Sequence, residues 1–161
     1  MISAPFGLGP GTIFETHVHV TNLARAISFY GDRLGLRLAY HLQERNVAFF
    51  WIGGAGDAML GVWEIPERDW RASHFAFAIT PDEIGGAFDR LRAAGIDALD
   101  FWGNPTTDPT VHAWMPACGI FFRDPDGNSL ELLAMLPGAG RPELGVVPLS
   151  VWNKRAAAAV R

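Results

Sequence analysis

Residues 12–36 read TIFETHVHVTNLARAISFYGDRLGL, and the fold follows from this stretch. Its opening alternates: Glu15, His17 and His19 fall on one face, Thr16, Val18 and Val20 on the other. A period of two is that of a strand whose faces meet different surroundings. From residue 21 the period changes. Thr21 or Asn22 can cap a helix, Leu23, Ile27, Tyr30 and Leu34 recur at helical spacing, and Gly35 suits the stop. Three strand candidates follow, at residues 37–43, 46–52 and 58–65. The last two are joined by Gly53-Gly54-Ala55-Gly56-Asp57, and residues 66–71 read as a polar connection.

The same order then returns. SHFAFAIT, residues 73–80, is strand-like, and Thr80-Pro81-Asp82-Glu83 opens a second helix. Thr80 can cap it, Pro81 suits the first helical position, and Glu83 can complete a capping box. Ile84, Phe88 and Leu91 form its apolar stripe and Gly95 ends it. Residues 96–101 read as a short strand and 103–110 as a loop rich in Pro, Thr and Asp. Residues 117–123 and 129–134 read as two strands joined by Asp124-Pro125-Asp126-Gly127, where Pro second and Gly fourth fit a type I turn. The two heads overlay without gaps: Val20 falls on Ile79, Thr21 on Thr80 and Phe29 on Phe88, which sets Glu15 on His74. Near the segment ends, Leu60-Gly61-Val62 falls on Leu130-Glu131-Leu132.

A repeat of about 60 residues predicts an α+β fold of two βαβββ modules. Neither half can cover both faces of its sheet alone, so the expectation is one curved mixed sheet around a cup, with helices on the outer face. The modules span residues 12–66 and 72–136, within one structural domain. An N-terminal segment, 1–11, precedes them. A Gly/Pro-rich arm, 137–161, follows and reads as lying outside the core. Its Leu144, Val146, Val147, Leu149 and Trp152 suit it to cover a partner.

Composition bounds the function. Of 161 residues, 49% are hydrophobic and 19% charged, enough for a core. The longest strongly apolar run, Val47–Ile52, is far below the roughly 20 residues of a membrane span. The start, MISAPFGLGPG, has neither a basic residue nor an apolar run, so a cytoplasmic protein without a membrane partner is expected. A formal charge of −4, with Lys154 the one lysine, argues against nucleic acid. Cys118 alone can build neither a disulfide framework nor a thiolate zinc site.

The polar residues within apolar strands point to chemistry. Glu131 sits in Leu130-Glu131-Leu132-Leu133, and a carboxylate on a buried face needs a cation, a donor or water. The alternative is a solvated face. His74 opens the strand HFAFA and is either a ligand or a hydrogen-bonded core histidine. On the first strand, same-face neighbours stand about 6.6 Å apart, so Glu15, His17 and His19 can converge on one ion or simply face solvent. Two carboxylates and one to three imidazoles make a hard-to-borderline donor set, suited to Mn, Fe, Ni, Co or Zn. His19, Trp51, His112 and Trp114 are candidates to line a substrate pocket. The last two lie in TVHAWMPA, which reads as a loop before a strand. Glu64 is out of phase with Gly61 and faces the other way, and Arg123 beside Asp124 reads as a surface pair. There is no phosphate-binding Gly-rich loop, nucleophile elbow or HExxH.

HVHVTNLARAISFYGDRLGL, SHFAFAIT and FRDPDGNSLELL together resemble the vicinal oxygen chelate superfamily. That superfamily includes glyoxalase I, bleomycin-resistance proteins, extradiol dioxygenases and the thiol transferases that open fosfomycin. The resemblance spans residues 12–136. It implies a cup holding a divalent metal that offers two adjacent positions to vicinal substrate oxygens. By position, Glu131 and His74 match two of the family's ligands, and the first-module ligand position falls on Glu15, with His17 as the substitute. The fourth ligand position of glyoxalases falls on Gly61, which has no side chain to bind. The implied function is a metal-dependent lyase, isomerase or ring-cleaving dioxygenase acting on a small oxygenated molecule, with Glu131 or His17 moving protons. The alternative is a non-catalytic, ligand-sequestering protein of the bleomycin-resistance type. A homodimer is also implied.

Overall fold

A computed structural model describes residues 13–158, so the N-terminal segment 1–11 lies outside the described residues. The chain divides into two compact units, Met1–Trp70 and Arg71–Arg161. The class is α+β, as the repeat predicts, with the strands hydrogen-bonded in two mixed sheets, one per unit.

The first unit contains β1 (Glu15–Val20), α1 (Leu23–Ile27), β2 (Arg37–Leu42), β3 (Val47–Ile52) and β4 (Ala58–Glu64), in sheet order β1-β4-β3-β2. Val18 and Val20 are buried while Glu15, His17 and His19 are exposed, so the alternation in β1 reads correctly. Asn22 caps α1, its Oδ1 accepting from the Arg25 N–H at 2.8 Å. Glu64 does point away from Gly61, and its carboxylate accepts the Leu23 N–H at 2.6 Å, holding the helix start onto β4. Beyond Ile27 the helix widens into a π turn, Ser28–Arg33. The added residue moves burial off the predicted stripe. Phe29 and Tyr30 are both inside, whereas Ile27 and Leu34 are half-buried.

The second unit contains β5 (His74–Ala78), α2 (Ile84–Ala93), β6 (Thr110–His112), β7 (Ala117–Arg123), β8 (Ser129–Met135), β9 (Val146–Pro148) and α3 (Leu149–Ala158). Its sheet order is β5-β8-β7-β6-β9. In each unit the first strand runs parallel to the last strand of the βαβββ series. His17 pairs with Gly61, and Ala76 pairs with Glu131. Glu15 and His74 each stand two residues before these pairs, on the same face, so they occupy equivalent places in their sheets. Glu83 accepts from the Thr80 N–H at 2.7 Å and the Thr80 hydroxyl at 2.8 Å, as the capping motif predicts. These bonds hold its carboxyl below the usual range.

The expectations for residues 96–101 and for the C-terminal arm need correcting. Residues 96–101 form no strand; only Leu99 bridges, to Phe121 and Pro105. Asp100 turns the chain there by accepting the Trp102 and Asn104 N–H groups at 2.9 and 2.8 Å. The strand of that region is β6, which begins at Thr110, where the loop was expected to end. The C-terminal arm is not outside the core: β9 pairs with β6, Trp152 is buried, and the Arg141 guanidinium lies over its ring. Leu144, Val146, Val147 and Leu149 of that stripe are half-buried. No helix among the described residues is long and apolar enough to cross a membrane.

Candidate metal centre

In the second sheet the alternation of β8 sends Glu131 to the face opposite its neighbour Leu130. Glu131 shares that face with Phe121, its pairing partner on β7. Its side chain is only 5% exposed and meets two imidazoles: His74 Nε2 lies 3.5 Å from Oε2, and His112 Nε2 lies 3.4 Å from Oε1. His74 Nδ1 is 3.1 Å from the Ser129 carbonyl. A carbonyl oxygen only accepts, so Nδ1 carries a proton, and in the neutral form of the ring Nε2 turns its lone pair toward the carboxylate. Two acceptors then face each other across 3.5 Å, an arrangement that requires a cation or a proton between them. Two ligand bonds of about 2.1 Å span at most about 4.2 Å, so the gap admits one ion. The residues present therefore fit a divalent metal bound through one imidazole nitrogen and one carboxylate oxygen. Among the described residues, no three His, Cys, Asp or Glu side chains close on a common ion as they stand.

The turn before β8 builds this pair. Gly127 N–H donates to the Asp124 carbonyl at 3.0 Å, closing the turn that the Asp-Pro-Asp-Gly string predicts. Arg123 and Asp124 are not a surface pair. Asp124 is buried and accepts from the Asn128 backbone and amide N–H groups at 2.8 and 2.7 Å, while Arg123 donates to the Gly127 carbonyl. Asn128, fully buried, accepts the Ser73 N–H at 2.9 Å. This bond sets the start of β5 beside β8 and so sets His74 beside Glu131. The sequence offers Asn128 only as a turn residue; its partner lies 55 positions away.

His112 is misread by the sequence as part of a loop. It lies on β6, buried, with its ring against Trp114, Phe101 and Phe121 at centroid separations of 4.9, 5.5 and 6.1 Å. Since Glu131 can only accept when ionised, neutral His112 carries its proton on Nε2. Nδ1 is then a bare acceptor, buried and without a hydrogen-bond partner. Phe101 and Trp114 are both about half exposed, so an aromatic wall beside the buried carboxylate reaches solvent.

In the first unit, His17 Nε2 is 3.3 Å from Glu15 Oε1. The His17 ring packs on Trp63 and Phe49 and lies over Gly61, where a Cβ would stand 2.6 Å from its Cδ2. A ligand side chain at position 61 is thus excluded by the imidazole that covers it. His19 lies on the same face of β1, and its carbonyl accepts the Trp70 indole N–H at 3.0 Å. Trp51, paired with Met59, which pairs in turn with Glu15, is on that face too.

The description of the Glyoxalase/Bleomycin resistance protein/Dioxygenase superfamily matches residues 12–132, most of the chain. The chain belongs to this superfamily. It is 33% identical over 115 residues to metallothiol transferase FosB of Shouchella clausii, covering 70% of this chain and 73% of that protein. A probable lactoylglutathione lyase of Vibrio parahaemolyticus is 29% identical over 134 residues, 76% of this chain and 90% of that one. Among solved structures, an integron cassette protein from the Halifax Harbour sewage outfall metagenome superposes with a TM-score of 0.68 at 29% identity. That match covers 77% of this chain and 98% of the cassette protein.

Cys118 plays no part in this chemistry. Burial, with Asp108 and Glu131 adding negative charge, pushes its thiol up to about 12. At pH 8 only about one thiol in 10⁴ is then ionised, and the thiolate is the reactive form. The folded protein is expected to resist a chromogenic disulfide reagent at pH 8 for hours and to react fully in denaturant. Reaction within minutes in the folded state would contradict this burial.

Proposed function

We propose that this protein is a metal-dependent enzyme that holds a small oxygenated organic molecule through two oxygens on one divalent ion. His74 and Glu131, both in the second unit, are the donors on which the reading rests. The observation that carries the reading is His74 Nε2 facing a buried carboxylate oxygen at 3.5 Å while Nδ1 is turned to the Ser129 carbonyl. Mn, Fe, Co, Ni and Zn all suit such a set. When bound, the ion supplies Lewis-acid polarisation of the substrate oxygens. The chain does the rest. The rings of Phe101, Trp114 and Phe121 offer an apolar wall, and the bare His112 Nδ1 offers an acceptor for a substrate hydroxyl or N–H. Glu131 is the group proposed to move a proton, and lyase, isomerase and dioxygenase reactions all suit such a carboxylate. The relatives named for metallothiol transfer and for lactoylglutathione lysis support metal chemistry on a small molecule. We also propose a homodimer, which the superfamily resemblance implies.

Metal-stripped protein titrated with Mn(II), followed by calorimetry and electron paramagnetic resonance, should take up one equivalent. Acetohydroxamate, which presents two adjacent oxygens, should then change the resonance spectrum. Uptake below about one-tenth equivalent would remove the metal reading. Quenching of tryptophan fluorescence by an aromatic ligand without metal would instead favour sequestration.

A further inference from the structure

We propose that Gly119 and His112 are positioning residues that aim Glu131, so that it offers a single oxygen, Oε2, to the centre described above. The inference rests on that reading of the site but draws on different contacts. Glu131 is on β8 and His112 on β6, with β7 between them. Neighbouring strands lie about 4.8 Å apart, so the carboxylate must cross a whole strand to meet His112. It crosses over Gly119. A Cβ built at Gly119 would overlap Glu131 Oε1 and stand 3.1 Å from Cδ and 3.5 Å from Cγ. Gly119 is not among the glycines with positive φ, so its backbone does not demand glycine. The missing side chain is explained by the carboxylate lying in its place.

At the far end of this passage, His112 Nε2 meets Oε1 at 3.4 Å, within a buried pair. A glutamate has three rotatable side-chain bonds. Here the floor at Gly119 and the imidazole at the end select one conformation. With Oε1 held by His112, Oε2 alone faces His74. A metal held at this centre would then be offered one oxygen by Glu131. Four adjacent strands each contribute one part: His74 on β5, Glu131 on β8, Gly119 on β7 and His112 on β6.

The test has two readouts. In metal-free, ¹⁵N-labelled protein, His112 should show an Nε2-bound proton protected from solvent exchange, and Glu131→Ala should abolish that protection. In Mn(II) titrations, His112→Phe and Gly119→Ala should each weaken binding about 10–100-fold, the range for groups that orient a ligand. His112→Gln, which keeps an N–H at similar reach, should recover most of the loss. A proton on Nδ1 of His112, or an unprotected Nε2 proton, overturns the proposal, as does wild-type affinity in a folded His112→Phe variant. If the wild-type protein takes up no Mn(II) while the protected proton is present, the metal reading falls and the positioning of Glu131 stands. The wild-type spectrum decides the matter even if a variant fails to fold.

Discussion

At alkaline pH, where the His74 ring is neutral, Glu131→Gln should stabilise the metal-free protein and destroy its metal binding, two effects of opposite sign from one oxygen-to-nitrogen exchange. The glutamine carbonyl can still accept from His112 Nε2. Its NH₂ group turns to His74 Nε2, so a donor meets the lone pair that now faces a carboxylate oxygen at 3.5 Å. The buried charge disappears as well. One repaired hydrogen bond and a relieved desolvation cost together contribute about 1–2 kcal/mol. For a chain of this length that raises Tm by about 2–8 °C. A neutral amide is a poor ligand. A structural zinc site with four ligands is worth roughly 10–16 kcal/mol, about 2.5–4 kcal/mol per ligand, so losing one ligand costs on the order of 10²–10³ in affinity. Scanning calorimetry with chelator and with excess Mn(II) reads both effects. Wild type should be less stable than the variant in chelator and should gain stability with the ion; the variant should not respond to it. A variant that is less stable in chelator, and still responds to Mn(II), would make Glu131 a structural carboxylate rather than a ligand.

What the sequence reveals of this site is governed by the range of the interactions. The stripe of Glu15, His17 and His19 is legible because strand alternation is a property of neighbours. The capping of α2 and the turn at Asp124 are legible because their partners lie three or four residues away. The pairing of His17 with Gly61 and of Ala76 with Glu131 follows from the repeat, since equivalent segments make equivalent sheets. His112 escapes because its strand has three residues, sits directly after Pro109, and finds Glu131 across an intervening strand. Gly119 reads as an ordinary strand glycine until the side chain that fills its space is known. The Gly/Pro-rich stretch after Pro137 hides β9, whose partner β6 is itself too short to leave a pattern. Glu64 declares its direction in the sequence but not its task, because the Leu23 N–H that it holds is 41 residues away.

Asn128→Ala should unfold well below wild type although it touches no candidate ligand. The substitution removes the acceptor for the Ser73 N–H and the amide donor to Asp124 Oδ2, at 2.9 and 2.7 Å. Each buried or part-buried loss costs about 1–3 kcal/mol, and the two together about 2–4 kcal/mol. That corresponds to a fall in Tm of about 4–16 °C. Ser73 is the residue before His74, so slackening the start of β5 also frees the imidazole from its place beside Glu131. Mn(II) affinity should drop in the variant with every ligand still present. Asn128→Asp separates the two lost contacts. It keeps an acceptor for Ser73 but sets a second carboxylate against Asp124 inside the protein. Like charges there raise the proton affinity of the folded pair above that of the unfolded chain. Stability relative to wild type is therefore lost as pH rises through the carboxylate range and regained as pH falls. At pH 7 the aspartate variant should be the less stable of the two, and near pH 4 the order should narrow or reverse. An alanine variant melting within about 2 °C of wild type would mean that contacts other than this turn fasten β5 to β8.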